Sequence, residues 1–154
     1  MIIDRFNEFS NAQAVTSTAL STDIIDLGPT RSSQRRDIGS GEELWLVVQT
    51  ITAATDTGSD ATLAVTLESA DNEAISTNAT VHFTTGALAF AAFSPAGTFL
   101  VATRIPNALY RRYLAVRYTV ASGPLTAGTF SAFLTHDIQQ FRPYLNNAPI
   151  AANA

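Results

Sequence analysis

Short runs with a period of two dominate the polar–apolar pattern of this chain. Residues 61–69 alternate most cleanly, with Leu63, Val65 and Leu67 on one side and Thr62, Thr66 and Glu68 on the other. That is the mark of a strand with one buried face. Residues 43–54 are apolar on both sides, Leu44, Leu46 and Val48 opposing Trp45, Val47 and Ile51. Such a run fits a central strand covered on both faces. Further strands are predicted at 13–19, 23–27, 79–84 and 98–104, bounded by Gly, Pro, Asp and Asn. Residues 109–139 predict a long hairpin, strands 112–120 and 129–135 joined by a Gly/Pro turn. The charge-free stretch 86–97 offers Leu88, Phe90 and Phe93 to a core.

About eight short strands with almost no helical periodicity predict one all-β domain over 1–154, an antiparallel sandwich or jelly roll. Residues 1–11 carry Phe6 and Phe9 without alternation and read as an N-terminal arm or a short helical turn. Residues 141–154, with Pro143 and Pro149, read as an extended C-terminal tail.

Composition narrows the function classes. Only 14% of residues are charged, so much of the surface is Thr, Ser, Asn, Gln and Ala, which pack on another protein at little desolvation cost. With no cysteine, disulfides and thiolate metal sites are excluded. Every basic residue is arginine. Its rigid fork suits interfaces, although a coding bias alone would give the same count. A net charge of −4 argues against a nucleic-acid partner. No apolar run reaches membrane-spanning length, and the start MIIDRFNEF lacks a signal-peptide core, so synthesis in the cytoplasm is expected.

The residues point away from catalysis. His136 and Asp137 are adjacent, and neighbours on a strand face opposite ways. No serine sits in a nucleophile elbow, and residues 39–42 lack the lysine of a phosphate loop. Residues 56–60 suggest calcium, but the twelfth position holds Leu67 instead of a carboxylate; a solvated hairpin turn is the simpler reading. No catalytic, cofactor or metal residue is therefore assigned.

Contact candidates are easier to name. On strand 112–120, Leu114, Val116 and Tyr118 face one way, and Tyr113 and Arg117, preceded by Arg111, form a stripe on the other. Arginine and tyrosine are enriched at interface hot spots. The alternative is a solvated face whose arginine stems cover the tyrosine rings. Arg31, Arg35 and Arg36 lie in a loop that is solvated or docks on an acidic partner. The tail residues Phe141 and Tyr144 fit a neighbouring surface or the chain's own sandwich.

The stretches Ile3-Asp-Arg-Phe-Asn-Glu-Phe-Ser10, Ser21-Thr-Asp-Ile-Ile-Asp-Leu-Gly28, Arg111-Arg-Tyr-Leu114, Arg117-Tyr-Thr-Val120 and Thr126-Ala-Gly-Thr129 together resemble the capsid cement, or decoration, proteins of tailed bacteriophages. Asp137 and Gln139 before Arg142-Pro-Tyr144 fit the same pattern. The likeness runs over residues 1–147, and 138–154 depart most from it. The resemblance implies a jelly-roll β-sandwich with extended N- and C-terminal arms, bound to the outside of an icosahedral head. It implies the major capsid protein as partner, bridging between capsid subunits, and self-association, a homodimer ahead of a trimer. It implies no enzyme activity, no cofactor, no nucleic acid and no membrane. Arg5, Phe6, Arg111, Tyr113, Arg117, Phe141 and Tyr144 are then the candidate interface residues. A rival from another class is a carbohydrate-binding sandwich of a phage tail or host-recognition structure. It needs exposed aromatic platforms, and Trp45 in the most apolar strand is a poor one.

Overall fold

The computed structural model describes residues 4–29, 33, 35–39 and 41–138. Ten strands and two helical turns follow in the order of a first turn (Arg5–Asn7), β1 (Glu8–Ala14), β2 (Ala19–Leu20), β3 (Ile25–Asp26), β4 (Trp45–Thr55), β5 (Thr62–Ala70), β6 (Thr80–Thr84), β7 (Leu88–Ala89), α1 (Phe90–Phe93), β8 (Phe99–Arg104), β9 (Tyr113–Ala121) and β10 (Ala127–Thr135). One sheet has the order β1-β10-β4-β8, the other β2-β9-β5-β6, and all strand pairs are antiparallel. β2 and β3 lie end to end along β9, as β6 and β7 do along β5. Taken as two broken strands, they reduce the molecule to eight strands in two sheets of four. Apart from β5 and β6, which pair within the second sheet, these eight strands cross between the sheets in turn, the order of a jelly roll.

The alternating residues meet where the sheets face each other. Leu63, Val65 and Leu67 of β5, Leu114, Val116 and Tyr118 of β9, Leu46 and Val48 of β4, and Phe130, Ala132 and Leu134 of β10 form one buried core with Phe9. β4 is covered on its second face as well: Val47 packs with Phe133 and Ile138, flanked by Trp45, Phe99 and Ala102. Phe93 of α1 is fully buried, and its carbonyl accepts the buried Thr50 hydroxyl at 2.7 Å.

Three expectations need correction. Residues 109–139 are not a hairpin, because β9 pairs with β5, β2 and β3 while β10 pairs with β4 and β1. The Gly/Pro segment between them is an arch across the sandwich. Leu125 is buried in it, and its N–H donates to the Thr16 carbonyl at 2.9 Å, while Thr126 N–H donates to Thr55. Residues 56–60 likewise join β4 to β5 in opposite sheets instead of closing a hairpin. The Asp56 carboxylate accepts the backbone N–H groups of Asp60 and Ala61 at 3.1 and 3.0 Å, which holds its pKa below the usual carboxylate value.

The third correction is the N-terminal arm. Arg5–Asn7 is a helical turn as expected, but Glu8–Ala14 is an edge strand of the first sheet. Its ladder to β10 slips twice, and Ala12 sits at φ +47°. Those bulges erase the alternation that would have revealed a strand. The predicted strand 13–19 gives its first two residues to β1 and spends 15–18 crossing to the second sheet, which leaves β2, and the predicted strand 23–27 keeps only β3.

Candidate interaction surface

The Arg111–Tyr113–Arg117 stripe projects from the outer face of the second sheet, and each member already has an intramolecular partner. Thr66 and Glu68 stand beside Arg117 in the β5–β9 register. Arg117 Nε donates to both Glu68 oxygens at 3.0 and 3.1 Å, and its Nη2 lies 3.0 Å from Oε2. Thr66 Oγ1 donates a further bond of 2.7 Å to Glu68. Arg111 meets Asp71 at 3.0 Å, since Asp71 follows directly on Ala70, the β5 partner of Tyr113. Bonds from Asn78 and then Arg111 hold the Asp71 carboxyl below its usual pKa. Tyr113 packs against a small buried cluster of Ala70, Ile75 and Ala115. Arg112 stands 4.9 Å over its ring and grips Asp26 through two bonds of 2.9 and 2.8 Å, which lower the Asp26 pKa.

The stripe thus fastens the segment between β5 and β6 to the sheet. Ile75, at φ +48°, is tucked beneath that segment and 2% exposed. The Asn72 side chain holds the turn by accepting the N–H groups of Ser76 and Thr77 at 3.0 and 2.9 Å.

The arm candidates Arg5 and Phe6 behave differently. Asp4 caps the helical turn, accepting the Phe6 N–H at 3.0 Å, and the turn directs the Phe6 ring outward, 81% exposed. Arg36 donates to the Phe6 carbonyl at 3.0 Å and also to Asn7, so the backbone is held while the ring is free. Arg5 is 77% exposed. Arg35 donates to the Tyr110 carbonyl, so Arg35 and Arg36 tie their loop to the same end of the sandwich. Beside Phe6 opens a groove of about 700 Å³ bounded by Asp4, Arg5, Glu8, Asp23 and Arg36.

Leu109 was not singled out in the sequence, yet it is 89% exposed at this end. It borders a second hollow of about 270 Å³ with Arg35, Asp71 and Arg111. A lone leucine in the polar turn after Pro106 was the available signal. Next to it Tyr110 is locked, its hydroxyl donating to the Pro106 carbonyl at 2.8 Å and its ring 4.1 Å from that of His82. Burial pushes the Tyr110 phenol up to about 12. Phe141 and Tyr144 lie outside the described residues.

This end of the sandwich gathers residues 27–29, 35–39 and 41–44 and the loops 71–79 and 105–112 with the Arg5–Asn7 turn, and with them Arg5, Arg35, Arg36, Arg104, Arg111 and Arg112. The opposite end, formed by 15–18, 56–61, 94–98 and 122–126, contains no arginine.

Both histidines are engaged within the chain. His82 Nε2 lies 2.7 Å from Ser69 Oγ, but Ser69 is fully buried and also accepts the Arg111 N–H at 2.9 Å. The Ser69 hydroxyl is therefore shared between Arg111 and the imidazole and is sealed from solvent. Desolvation, with Arg111 nearby, lowers the His82 pKa. His136 Nε2 lies 3.1 Å from Glu42, and its Nδ1 lies 3.0 Å from the Glu43 carbonyl oxygen. Among the described residues no three His, Asp or Glu side chains converge on a possible metal position. Tyr118 is sealed in the core, bonded to Ser10 at 2.7 Å, and Tyr113 is covered by Arg112, so neither offers a flat platform for a sugar ring.

A comparison with curated proteins finds no match. A family model does match: Bbp16, over residues 9–134. The matched region runs from the first strand to the last, and the chain belongs to the Bbp16 family.

Proposed function

We propose that this protein is a capsid cement protein of a tailed phage, bound to the outside of the icosahedral head and bridging major capsid protein subunits. The observation that carries this reading is the uneven distribution of accessible contact groups. The outward charged groups of the second sheet are matched within the chain, whereas Phe6 and Leu109, more exposed than the other outward apolar side chains Ile51 and Val81, stand with Arg5 at one end. Exposed large apolar side chains on a monomer mark places where something binds. The sequence likeness to cement proteins supplies the partner.

Cementing needs no chemistry. A protein that binds only the expanded shell stabilises that state by its binding free energy, and many copies of modest affinity add across the lattice. A neutral, Thr-rich surface suits such a site, because little charge must be desolvated. The test is co-sedimentation of purified protein with unexpanded and expanded heads stripped of it. Saturable binding to expanded heads, raising the temperature at which they rupture, is expected. Absence of binding, or equal binding to both forms, overturns the proposal.

A further inference from the structure

We infer that the groove beside Phe6 receives a basic side chain, lysine or arginine, of the capsid subunit; the identity of the partner rests on the function proposed above. Glu8 opens β1 and borders the groove with its side chain only 8% exposed. Three more carboxylates line it: Asp4, Asp23 and Asp26.

Matching the charges one by one leaves a deficit. Asp26 is paired with Arg112. Asp4 caps the Phe6 N–H and accepts the Asn7 amide at 3.3 Å. Arg36 is engaged with the Phe6 carbonyl and Asn7. Glu8 and Asp23 remain, and Arg5 faces both, 3.8 Å from each. That distance is beyond hydrogen-bond reach, and Arg5 is mostly in solvent. Two carboxylates therefore share one loosely held cation, and the more buried of them makes no close bond among the described residues.

A carboxylate largely shielded from water, with only narrow solvent access and no close donor, gains most from an ionised donor. A guanidinium or ammonium entering between Glu8 and Asp23 supplies such donors, and the exposed Phe6 ring at the rim can cover its alkyl stem or stack on the cation. The residual negative charge disfavours phosphate. The described carboxylates do not converge as metal ligands would, so an organic cation fits the site better than a metal ion.

The test compares wild type, Glu8→Gln and Asp23→Asn. Binding to expanded heads is measured over a salt series, with melting of each free protein alongside. Glu8→Gln should weaken binding about tenfold, chiefly through faster dissociation, and flatten the salt dependence. The melting temperature of the free protein should stay level or rise, because a poorly compensated charge has gone. Unchanged binding, or a loss that merely tracks a drop in melting temperature, overturns the inference. A second arm titrates the wild-type protein with N-acetyl-arginine methylamide and follows backbone amide resonances. Shifts at Phe6, Glu8 and Asp23 that Glu8→Gln abolishes support the groove even if wild type ignores heads, in which case only the proposed function fails. No shifts at these residues overturn it. Self-association of the free protein that Glu8→Gln abolishes places a second copy in the groove and overturns the capsid assignment.

Discussion

Replacing Arg117 with Met separates a structural arginine stripe from a docking one. Glu68 is 8% exposed at its side chain and Arg117 29%. Three contacts of 3.0–3.1 Å join them, and Arg117 also reaches the Ile75 carbonyl at 3.4 Å. Met keeps most of the stem volume but leaves Glu68 with the Thr66 hydroxyl as its remaining side-chain donor. An unpaired buried donor or acceptor costs about 1–3 kcal/mol, and stranding one charge of a fully buried pair costs roughly 3–5. This pair is partly exposed on the arginine side, so about 2–3 kcal/mol is expected. At roughly 2–4 °C per kcal/mol for a chain of this length, melting should fall by about 5–10 °C. Arg117→Met combined with Glu68→Met should recover much of that loss, because the stranded charge is removed. Scanning calorimetry of the two variants reads this out, with head binding measured well below either melting point. A variant that melts with wild type yet no longer binds heads would refute the reasoning and return the stripe to an interface role. Arg111→Met should leave the melting temperature close to that of wild type, since the Asp71 pair is exposed on both sides.

Gly39→Ala should destabilise by about 2 kcal/mol or more, because Gly39 sits at φ +91° and a Cβ there would fall 2.0 Å from the Tyr110 ring; urea denaturation showing less than half that loss contradicts the Tyr110 lock. Tyr118→Phe should cost about 1–2 kcal/mol by orphaning the buried Ser10 hydroxyl, and an unchanged denaturation midpoint would show the bond contributes nothing. His82 is held neutral, with its pKa below 6.5. The unfolded chain therefore binds the proton first, and this contribution is complete above pH 6.5 and lost as pH falls from there toward the lowered folded value. Melting should drop between pH 7 and pH 5, less so in His82→Asn, and parallel profiles for the two proteins would exclude His82 as the cause.

The readable parts of this fold were those in which a single strand carries its own signal. The alternation of β5 and the two-sided apolarity of β4 each fixed a strand and its buried faces, and Leu114, Val116 and Tyr118 landed in the core as expected. The partner of each strand was not readable. A Gly/Pro segment serves a hairpin or an arch equally well, and β10 joined β1 and β4 because its inner face, Phe130, Ala132 and Leu134, packs across the core against β9. The ion pairing of the stripe was unreadable for a related reason. Its carboxylates come from β5 and the turn after it, about forty to fifty residues earlier in sequence, so the neutralisation of Arg111 and Arg117 exists only once β5 and β9 are paired. Phe6 and Arg5 were legible because a local turn exposes them, whereas Leu109 and the crowding around Glu8 depend on loops from distant parts of the chain.

The most direct test of the account is hydrogen–deuterium exchange of the protein free and bound to expanded heads. Protection on binding should appear over residues 4–8, 23–26, 35–36 and 105–112, with the arches at 56–60 and 122–126 unchanged. Protection confined to those arches, or to the outer face of β5 and β9, would contradict the placement of the contact surface at the arginine-bearing end.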